Sequence, residues 1–297
     1  MKKRFLRLKN KLRRIATHCY RVLFRRKYVP IIVSLTTYPA RINTVHIAIQ
    51  SLLAQKVLPD KVIIWLCKSD FPNLEADLPA HLRRQLGFDV QIAWIDDDLK
   101  PHKKYFWVLQ QYPNANIVIV DDDLIYRNTM IEDLLKYHHR YPDAVIASRT
   151  HYITFDNNGH ANPYDQWIYE APHYNKQLVG KPSFQLFATN GAGTLYPPLV
   201  TKKITPMLCD KDFITRYCLT ADDLWLKIAQ LYSNIKVVAA TSDQLLNYVP
   251  NTQGEEALCH VNTEQGANTV ILANILSHLD ANHTQSWFDT MVYDPIR

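Results

Sequence analysis

The sequence predicts an α/β fold with a mainly parallel sheet and flanking helices. From about residue 29 to residue 150, short apolar segments typical of buried strands alternate with segments of helical periodicity. Apolar residues make up 47% and charged residues 21% of the 297-residue chain, a balance typical of a domain with a hydrophobic core. The seven glycines form neither G-x-G-x-x-G nor G-x-x-x-x-G-K-[ST], which excludes a Rossmann dinucleotide fingerprint and a P-loop.

Residues 1–28 form a basic segment that precedes the predicted α/β region. Residues 1–27 hold twelve Lys or Arg and no acidic residue, whereas residues 28–297 carry a net charge of −6. Apolar side chains recur there at helical spacing, at Phe5, Leu8, Leu12, Ile15, Cys19 and Val22. The pattern predicts a basic amphipathic helix that lies on an anionic membrane surface. A solvated or packing helix, or a disordered basic tail, is the alternative.

The lack of a recognisable targeting signal and the pattern of cysteines predict the cellular compartment of the protein. No apolar run approaches the roughly 18 residues of a membrane span, and no apolar h-region follows the basic segment. The five cysteines are odd in number and form no C-x-x-C pair, which argues against a zinc ribbon or a disulfide framework. We therefore expect a cytoplasmic protein that is peripheral on the inner face of the cell membrane.

The individual elements follow from local periodicity. Strands are predicted at residues 31–35, 62–66, 90–95, 117–120 and 144–148. Helices are predicted between them, at about 42–53, 78–86, 102–111 and 128–140. Beyond residue 151 the pattern is looser, with helical stripes at 221–232 and 264–279 and a strand at 235–240.

Three consecutive aspartates, Asp121–Asp123, follow the predicted strand at 117–120. Ligands of α/β sheets bind beyond the carboxyl ends of the strands, and crowded carboxylates repel one another unless a cation neutralises them. Because oxygen ligands suit Mg²⁺ or Mn²⁺, the triplet predicts a divalent metal that would hold a diphosphate. An acidic turn without a ligand is the alternative.

A second triplet, Asp96–Asp98, also follows a predicted strand. Neighbouring lysines could neutralise this triplet without a metal, so we rank it below Asp121–Asp123. Two of those lysines, Lys103 and Lys104, are themselves candidates for contacts with phosphates. A solvated basic start of a helix is the alternative interpretation.

Asp222 and Asp223 lie at the predicted start of a helix. A helix N-terminus favours an ionised carboxylate, and such a group could take a proton from a hydroxyl. Asp222 would then be a neighbour that binds an acceptor or a metal. The spacing Thr220-x-x-Asp223 is also that of a capping box, in which Asp223 would only accept the free N–H groups of the helix.

Two further segments could contact a ligand. Gly191 and Gly193 fall in the loop that follows Asn190, where glycine allows close approach of the backbone to a ligand, although a plain turn is equally compatible. Arg41 follows the first strand and is a candidate contact for a phosphate or a base. A surface arginine is the alternative.

These motifs occur in an order that resembles the GT-A glycosyltransferases, and the chain is similar to family-2-like bacterial enzymes of surface-polysaccharide synthesis over roughly residues 29–240. The resemblance implies a Rossmann-like domain over 29–297, with a nucleotide-sugar half at about 29–150 and an acceptor half at 151–297. Asp121–Asp123 match the D-x-D motif of that family. Asp222 stands where the family has Glu, and Thr36-Thr37-Tyr38-Pro39 where it has Pro-x-Tyr-Asn.

The resemblance also implies roles for single residues. Asp121 and Asp123 would meet a Mn²⁺ or Mg²⁺ ion, and Asp223, beside Asp222, would be the catalytic base. The remaining site residues fall into two groups. The residues implied to bind the nucleotide sugar are Thr36, Arg41, Lys103, Lys104, Asp121 and Asp122. The residues implied to line the donor and acceptor loop are Asn190, Gly191 and Gly193.

The predicted function is a metal-dependent glycosyltransferase, of the inverting type. It would move a sugar from a nucleotide sugar, with a UDP-sugar as the first choice, to a saccharide or lipid-linked acceptor in bacterial capsule or lipopolysaccharide synthesis. A retaining transferase of the same fold is one alternative. A nucleotidyltransferase is another, but residues 34–41 lack the glycine-rich loop that such enzymes normally need. A non-catalytic nucleic-acid-binding protein is the third, and the net charge of −6 over residues 28–297 argues against a nucleic-acid partner.

Overall fold

A computed structural model describes residues 28–87, 89–253, 266–279 and 284–294. The basic amphipathic helix predicted for residues 1–28 lies outside these ranges, apart from Tyr28. The first two residues of the helix predicted at 264–279 also lie outside them.

The centre of the fold is a seven-stranded sheet in the order β3-β2-β1-β4-β8-β5-β9, and β6 and β7 form a separate antiparallel pair. The strands are β1 (Ile31–Thr36), β2 (Lys61–Cys67), β3 (Val90–Ile95), β4 (Asn116–Ile119), β5 (Val145–Ala147), β6 (Thr150–Tyr152), β7 (Leu186–Ala188), β8 (Thr194–Tyr196) and β9 (Val237–Ala239). Only β8 runs against its neighbours β4 and β5, and the other pairs of the large sheet are parallel. The predicted α/β class with a mainly parallel sheet is confirmed.

Helices cover both faces of this sheet. They are α1 (Val45–Leu53), α2 (Ala80–Arg83), α3 (Lys103–Gln111), α4 (Met130–His138), α5 (Ala171–Tyr174), α6 (Pro198–Leu208), α7 (Lys211–Phe213), α8 (Asp222–Tyr232), α9 (Ala267–His278) and α10 (Gln285–Val292). Successive strand residues point to opposite faces, so Val33 of β1 belongs to the core that includes residues of α1 and α4, while Ile32 belongs to the core that includes residues of α3, α6 and α8. Burial on both faces explains why the inner strands β1, β2 and β4 are mostly apolar in sequence.

The second half of the chain holds strands that the sequence does not predict. β6, β7 and β8 have three residues each, which is too short for a periodic pattern. β8 and β9 pair with β4 and β5, so the segments 29–150 and 151–297 share one sheet. Among the residues that the structure describes, no helix is both long enough and apolar enough to cross a membrane.

The sheet brings three chain segments to one edge. Parallel β1 and β4 end there, followed by Thr37 and by Asp121. β8 is antiparallel to β4, so the residues before it, Asn190–Ala192, lie at the same edge. The topology therefore collects the predicted site residues of distant segments.

Candidate active site

Arg41 forms ion pairs with two of the three aspartates that follow β4. One nitrogen of its guanidinium, Nη1, lies 3.0 Å from Asp122 Oδ1 and 2.9 Å from Asp123 Oδ2. A second, Nη2, donates to the carbonyl of Thr252 at 3.0 Å. The hydroxyl of Thr37 donates to Asp122 Oδ2 at 2.5 Å. The sequence predicts a metal that neutralises these carboxylates, and the structure adds an arginine whose single positive charge offsets part of their negative charge.

Lys104 links the two groups of aspartates. This buried lysine projects from α3, and its Nζ lies 2.8 Å from Asp121 Oδ1 and 2.9 Å from Asp222 Oδ2. Burial alone would lower the pKa of Lys104, but the charges of Asp121, Asp222 and Asp223 raise it well above its ordinary value. Lys104 is thus an internal cation between the end of β4 and the start of α8, and a contact between it and a phosphate stays a prediction.

Asp223 contacts the loop before β8 instead of capping its own helix. Its Oδ1 accepts hydrogen bonds from the backbone N–H of Asn190 at 3.1 Å and from Asn190 Nδ2 at 2.9 Å. The residue at the N-cap of α8 is Ala221, which makes no side-chain capping hydrogen bond. Among the described residues, Asp223 accepts no hydrogen bond from an N–H of α8, so the capping-box interpretation is wrong.

The carboxyls of Asp223 and Asp123 hold protons more strongly than a free carboxyl. Burial and the neighbouring charge of Asp222 raise the pKa of Asp223 to about 7, although Lys104 and Asn190 oppose the shift. Burial and the charges of the two preceding aspartates raise the pKa of Asp123 to about 6. The helix N-terminus was expected to keep Asp223 fully ionised, but burial outweighs that effect. A carboxyl with a pKa near neutrality is suited to general-base work.

Gly191 is packed against the carboxylate of Asp121. A β-carbon at Gly191 would lie 1.5 Å from Asp121 Oδ2. The backbone N–H of Asp121 donates to the Gly191 carbonyl at 2.9 Å, and the hydroxyl of Tyr126 donates to the same carbonyl at 2.6 Å. The close backbone approach expected of this glycine is therefore to Asp121. The second glycine, Gly193, has a φ of +102°, which favours glycine at that position.

The second triplet, Asp96–Asp98, pairs with lysines, but of its three aspartates only Asp98 pairs with the local lysines that the sequence offered, whereas Asp96 and Asp97 pair with lysines of distant segments. Lys68 lies 2.9 Å from Asp96, Lys211 lies 2.5 Å from Asp97, and Lys103 lies 2.6 Å from Asp98. Lys100 adds a second ion pair to Asp98 at 2.5 Å. These aspartates thus have their own cations.

Two residues predicted to bind the nucleotide sugar have other partners. The side chain of Lys103 is only 4% exposed and is held by Asp98. The hydroxyl of Thr36 donates to the carbonyl of Trp65 at 2.8 Å. The structure does not bring either side chain into the network of Arg41 and Lys104, and a nucleotide contact for them stays a prediction.

Sequence reasoning missed several members of the site. Gln253 donates to Asp123 Oδ2 at 2.8 Å from 130 residues away, and Val249 donates its backbone N–H to the Asp123 carbonyl at 2.7 Å. Thr37 and Tyr126 are close in sequence to Arg41 and to the triplet, so nearness to those motifs could have found them. No local signal marks Gln253.

The donor atoms fit a metal ion that is shared with a ligand, but not an all-protein cage. Among the described residues, no group of three or more His, Cys, Asp or Glu side chains converges on one point. The side chain of Asp121 is 39% exposed, and Asp123 Oδ1 accepts no hydrogen bond in the described part of the chain. Mg²⁺ commonly takes one or two carboxylates and completes its shell with substrate phosphates and water. Asp121 and Asp123 offer such a set.

Comparison with solved structures defines the fold. The chain is similar to S. aureus TarS residues 1–349 in complex with UDP-GlcNAc, with a TM-score of 0.52, 14% identity, and coverage of 89% of this chain and 70% of that chain. It is also similar to the mannosyltransferase PcManGT from Pyrobaculum calidifontis in complex with GDP-Man and Mn²⁺, with a TM-score of 0.51, 10% identity, and coverage of 90% and 69%. A scan against protein-family models and a sequence search of curated proteins give no match. The fold is the GT-A type found in glycosyltransferases.

Proposed function

We propose that the chain is a glycosyltransferase that uses a nucleotide sugar and inverts the anomeric centre. One observation carries the proposal: Lys104 and the Asn190–Gly191 loop join Asp121 and Asp223 at the carboxyl edge of a GT-A sheet. Ligands of α/β sheets bind at this edge. The TarS and PcManGT structures hold UDP-GlcNAc and GDP-Man, which supports a nucleotide-sugar donor.

In this proposal the carboxylates have separate roles. Asp121 and Asp122 contact the nucleotide, and Asp123 with Asp121 holds Mn²⁺ or Mg²⁺ when the donor binds. The ion, once bound, supplies positive charge for the diphosphate leaving group. Mn²⁺ in the PcManGT structure supports a divalent ion.

Asp223 is the general base of the proposed reaction. Its Oδ2 accepts no hydrogen bond from the residues that the structure describes, while Oδ1 is held by Asn190. Oδ2 takes the proton of the acceptor hydroxyl, and the acceptor oxygen attacks the anomeric carbon. The bond between that carbon and the diphosphate oxygen breaks, and the nucleoside diphosphate leaves with the bonding electrons.

The acceptor side of the proposal rests on the charge distribution. A saccharide or lipid-linked acceptor of surface-polysaccharide synthesis would be available at the inner face of the membrane. The twelve basic residues within 1–27 would attract the chain to that anionic surface, while the rest of the chain has a net charge of −6.

The proposal is tested with a panel of nucleotide sugars and Mn²⁺, scored by thermal stabilisation and by slow hydrolysis of the donor. Asp223→Asn should leave donor binding intact and lower turnover by about 10²-fold or more, the usual size of a general-base contribution. Normal turnover in folded Asp223→Asn would contradict the assignment. NMR of the product's anomeric configuration separates the inverting from the retaining reaction.

A further inference from the structure

A chain of buried hydrogen bonds begins and ends on helix α8. Gln230 Nε2 donates to the hydroxyl of Tyr196 at 3.1 Å, and that hydroxyl donates to Asn190 Oδ1. Asn190 then donates twice to Asp223 Oδ1. Asp223 and Gln230 are seven residues apart, which places them on one face of α8, two turns from each other.

The donors and acceptors that each group offers determine which group donates in each hydrogen bond of this series. A carboxylate only accepts, so the amide nitrogen of Asn190 must face Asp223 and its oxygen must face away. That oxygen needs a donor, and the hydroxyl of Tyr196 has one proton to give. Gln230 fills the acceptor side of the same hydroxyl, which leaves the Tyr196 proton for Asn190. The orientation of the Asn190 amide is therefore set at its oxygen from Gln230 through Tyr196, and the Ala188 carbonyl, which accepts from Nδ2 at 3.3 Å, favours the same orientation.

Because these side chains are buried, water cannot replace a hydrogen-bonding group that a substitution removes. Asn190 and Tyr196 are 0% exposed and Gln230 is 1% exposed. Burial also raises the pKa of Tyr196 well above its ordinary value, so its hydroxyl keeps the proton that it donates. If that donor is removed, the amide oxygen of Asn190 loses its buried partner, and the amide is held only through Nδ2, which donates to Asp223 and, at 3.3 Å, to the Ala188 carbonyl.

We propose that Tyr196 and Gln230 are positioning residues for Asp223: they orient the Asn190 amide, whose Nδ2 holds Oδ1 together with the Asn190 backbone N–H, and Oδ2 is left as the oxygen that receives the proton of the acceptor hydroxyl. This inference rests on the proposed role of Asp223 as the base. It goes beyond that role because it assigns the orientation of the base to two residues that contact neither Asp223 nor Asp121–Asp123. In the sequence, nothing distinguishes Tyr196 from other residues of a buried strand or Gln230 from other residues of a buried helix.

The first test measures turnover and binding separately. In Tyr196→Phe and Gln230→Leu we expect kcat to fall between about 10- and 100-fold, less than the loss of the base itself. The KM for the nucleotide sugar and the Kd for UDP should stay within about 2-fold, because the nucleotide contacts are untouched. Gln185→Leu is the matched control, since Gln185 is a buried glutamine that bonds to Tyr152 and to the carbonyl of Ile153 in the β6–β7 region. Its kcat should stay at the wild-type value. Wild-type kcat in folded Tyr196→Phe would overturn the inference.

The second test asks whether Tyr196 acts through Asp223. In the Asp223→Asn background, Tyr196→Phe should lower the residual rate no further, because the group that it positions is gone. The same fall in both backgrounds would show a general structural effect and would overturn the inference. Wild-type turnover of Asp223→Asn alone would instead remove the proposed role of Asp223, so the two failures are distinguishable.

The third test does not depend on turnover. The side-chain amide resonances of Asn190, assigned by their loss in Asn190→Asp, should shift in ¹H–¹⁵N spectra of both Tyr196→Phe and Gln230→Leu, and they should exchange faster with solvent. In Gln185→Leu they should not change. Unchanged Asn190 resonances in Tyr196→Phe would overturn the inference even if no acceptor had been found.

Discussion

The Cα of Gly191 faces the carboxylate of Asp121 and leaves no space for a β-carbon. In Gly191→Ala the new methyl group would lie 1.5 Å from Oδ2, 2.0 Å from Cγ and 2.4 Å from Oδ1 of Asp121. Contacts below 3.0 Å are essentially never seen for a β-carbon, so the two groups must separate by about 1.5 Å. Gly191 has no positive φ, so the effect of the substitution is one of space alone.

Neither side of this contact can move freely. The carboxylate of Asp121 is held by Lys104 at 2.8 Å, and the carbonyl of Gly191 is held by Asp121 N–H at 2.9 Å and by Tyr126 at 2.6 Å. We expect overpacking of this kind to cost about 1–3 kcal/mol of the free energy of unfolding. A misplacement of about 1 Å at a reacting centre can cost roughly 10²-fold in rate, so turnover should fall by a similar factor.

The assay compares Gly191→Ala with Gly87→Ala. A β-carbon at Gly87 would have no atom within 4 Å, and Gly87 has no positive φ, so this variant should keep the wild-type Tm and turnover. Gly191→Ala should unfold at lower urea concentration and lose both affinity for UDP and transfer. If Gly191→Ala binds UDP and turns over like the wild type, the contact between the loop and Asp121 is not part of the site.

Four further predictions follow from the ion pairs, the pKa shifts and the sequence. Asp123→Asn should abolish transfer and the Mn²⁺-dependent stabilisation by UDP, whereas Asp97→Asn should change both only slightly, because the Asp97 carboxylate pairs with a lysine at 2.5 Å. The reverse order of effects in a thermal-shift and transfer assay would show that the wrong triplet was chosen. Transfer should rise with pH up to about 7, because burial and Asp222 raise the pKa of the Asp223 carboxyl to about 7 and only the ionised form accepts a proton; a pH-rate profile that is flat between pH 5 and 8 would contradict this. Arg41→Met should lower the free energy of unfolding in urea by about 3–5 kcal/mol, because it leaves two buried carboxylates without their cation; a loss below about 1 kcal/mol would show that the ion pairs are weak. Replacing the twelve Lys and Arg of residues 1–27 by Gln in the full chain should abolish sedimentation with anionic liposomes, and wild-type binding should weaken as salt rises; equal binding of both proteins would exclude the basic segment as the anchor.

Local patterns of apolar residues in the sequence are enough to predict the class of the fold. The inner strands β1, β2 and β4 are buried on both faces, so their residues are mostly apolar in sequence. The edge strand β3 is only partly buried, yet the prediction at 90–95 matches it residue for residue. The start of α8 at Asp222 is within one residue of the predicted start. The position of Asp121–Asp123 after a buried strand also placed them at the edge where ligands bind, because that rule needs only strand direction and chain order.

The partners of those residues were decided by the tertiary structure. The bond from Arg41 to Asp122 joins residues 81 apart, and that from Gln253 to Asp123 joins residues 130 apart. β8 has three residues, and its antiparallel insertion between β4 and β5 is what places Asn190 beside Asp223. Periodicity reports whether a side chain is buried, but it carries no information on which distant segment lies opposite it. The ion pairs and hydrogen bonds of this site therefore depend on the strand order, which places the ends of β1 and β4 beside the start of β8.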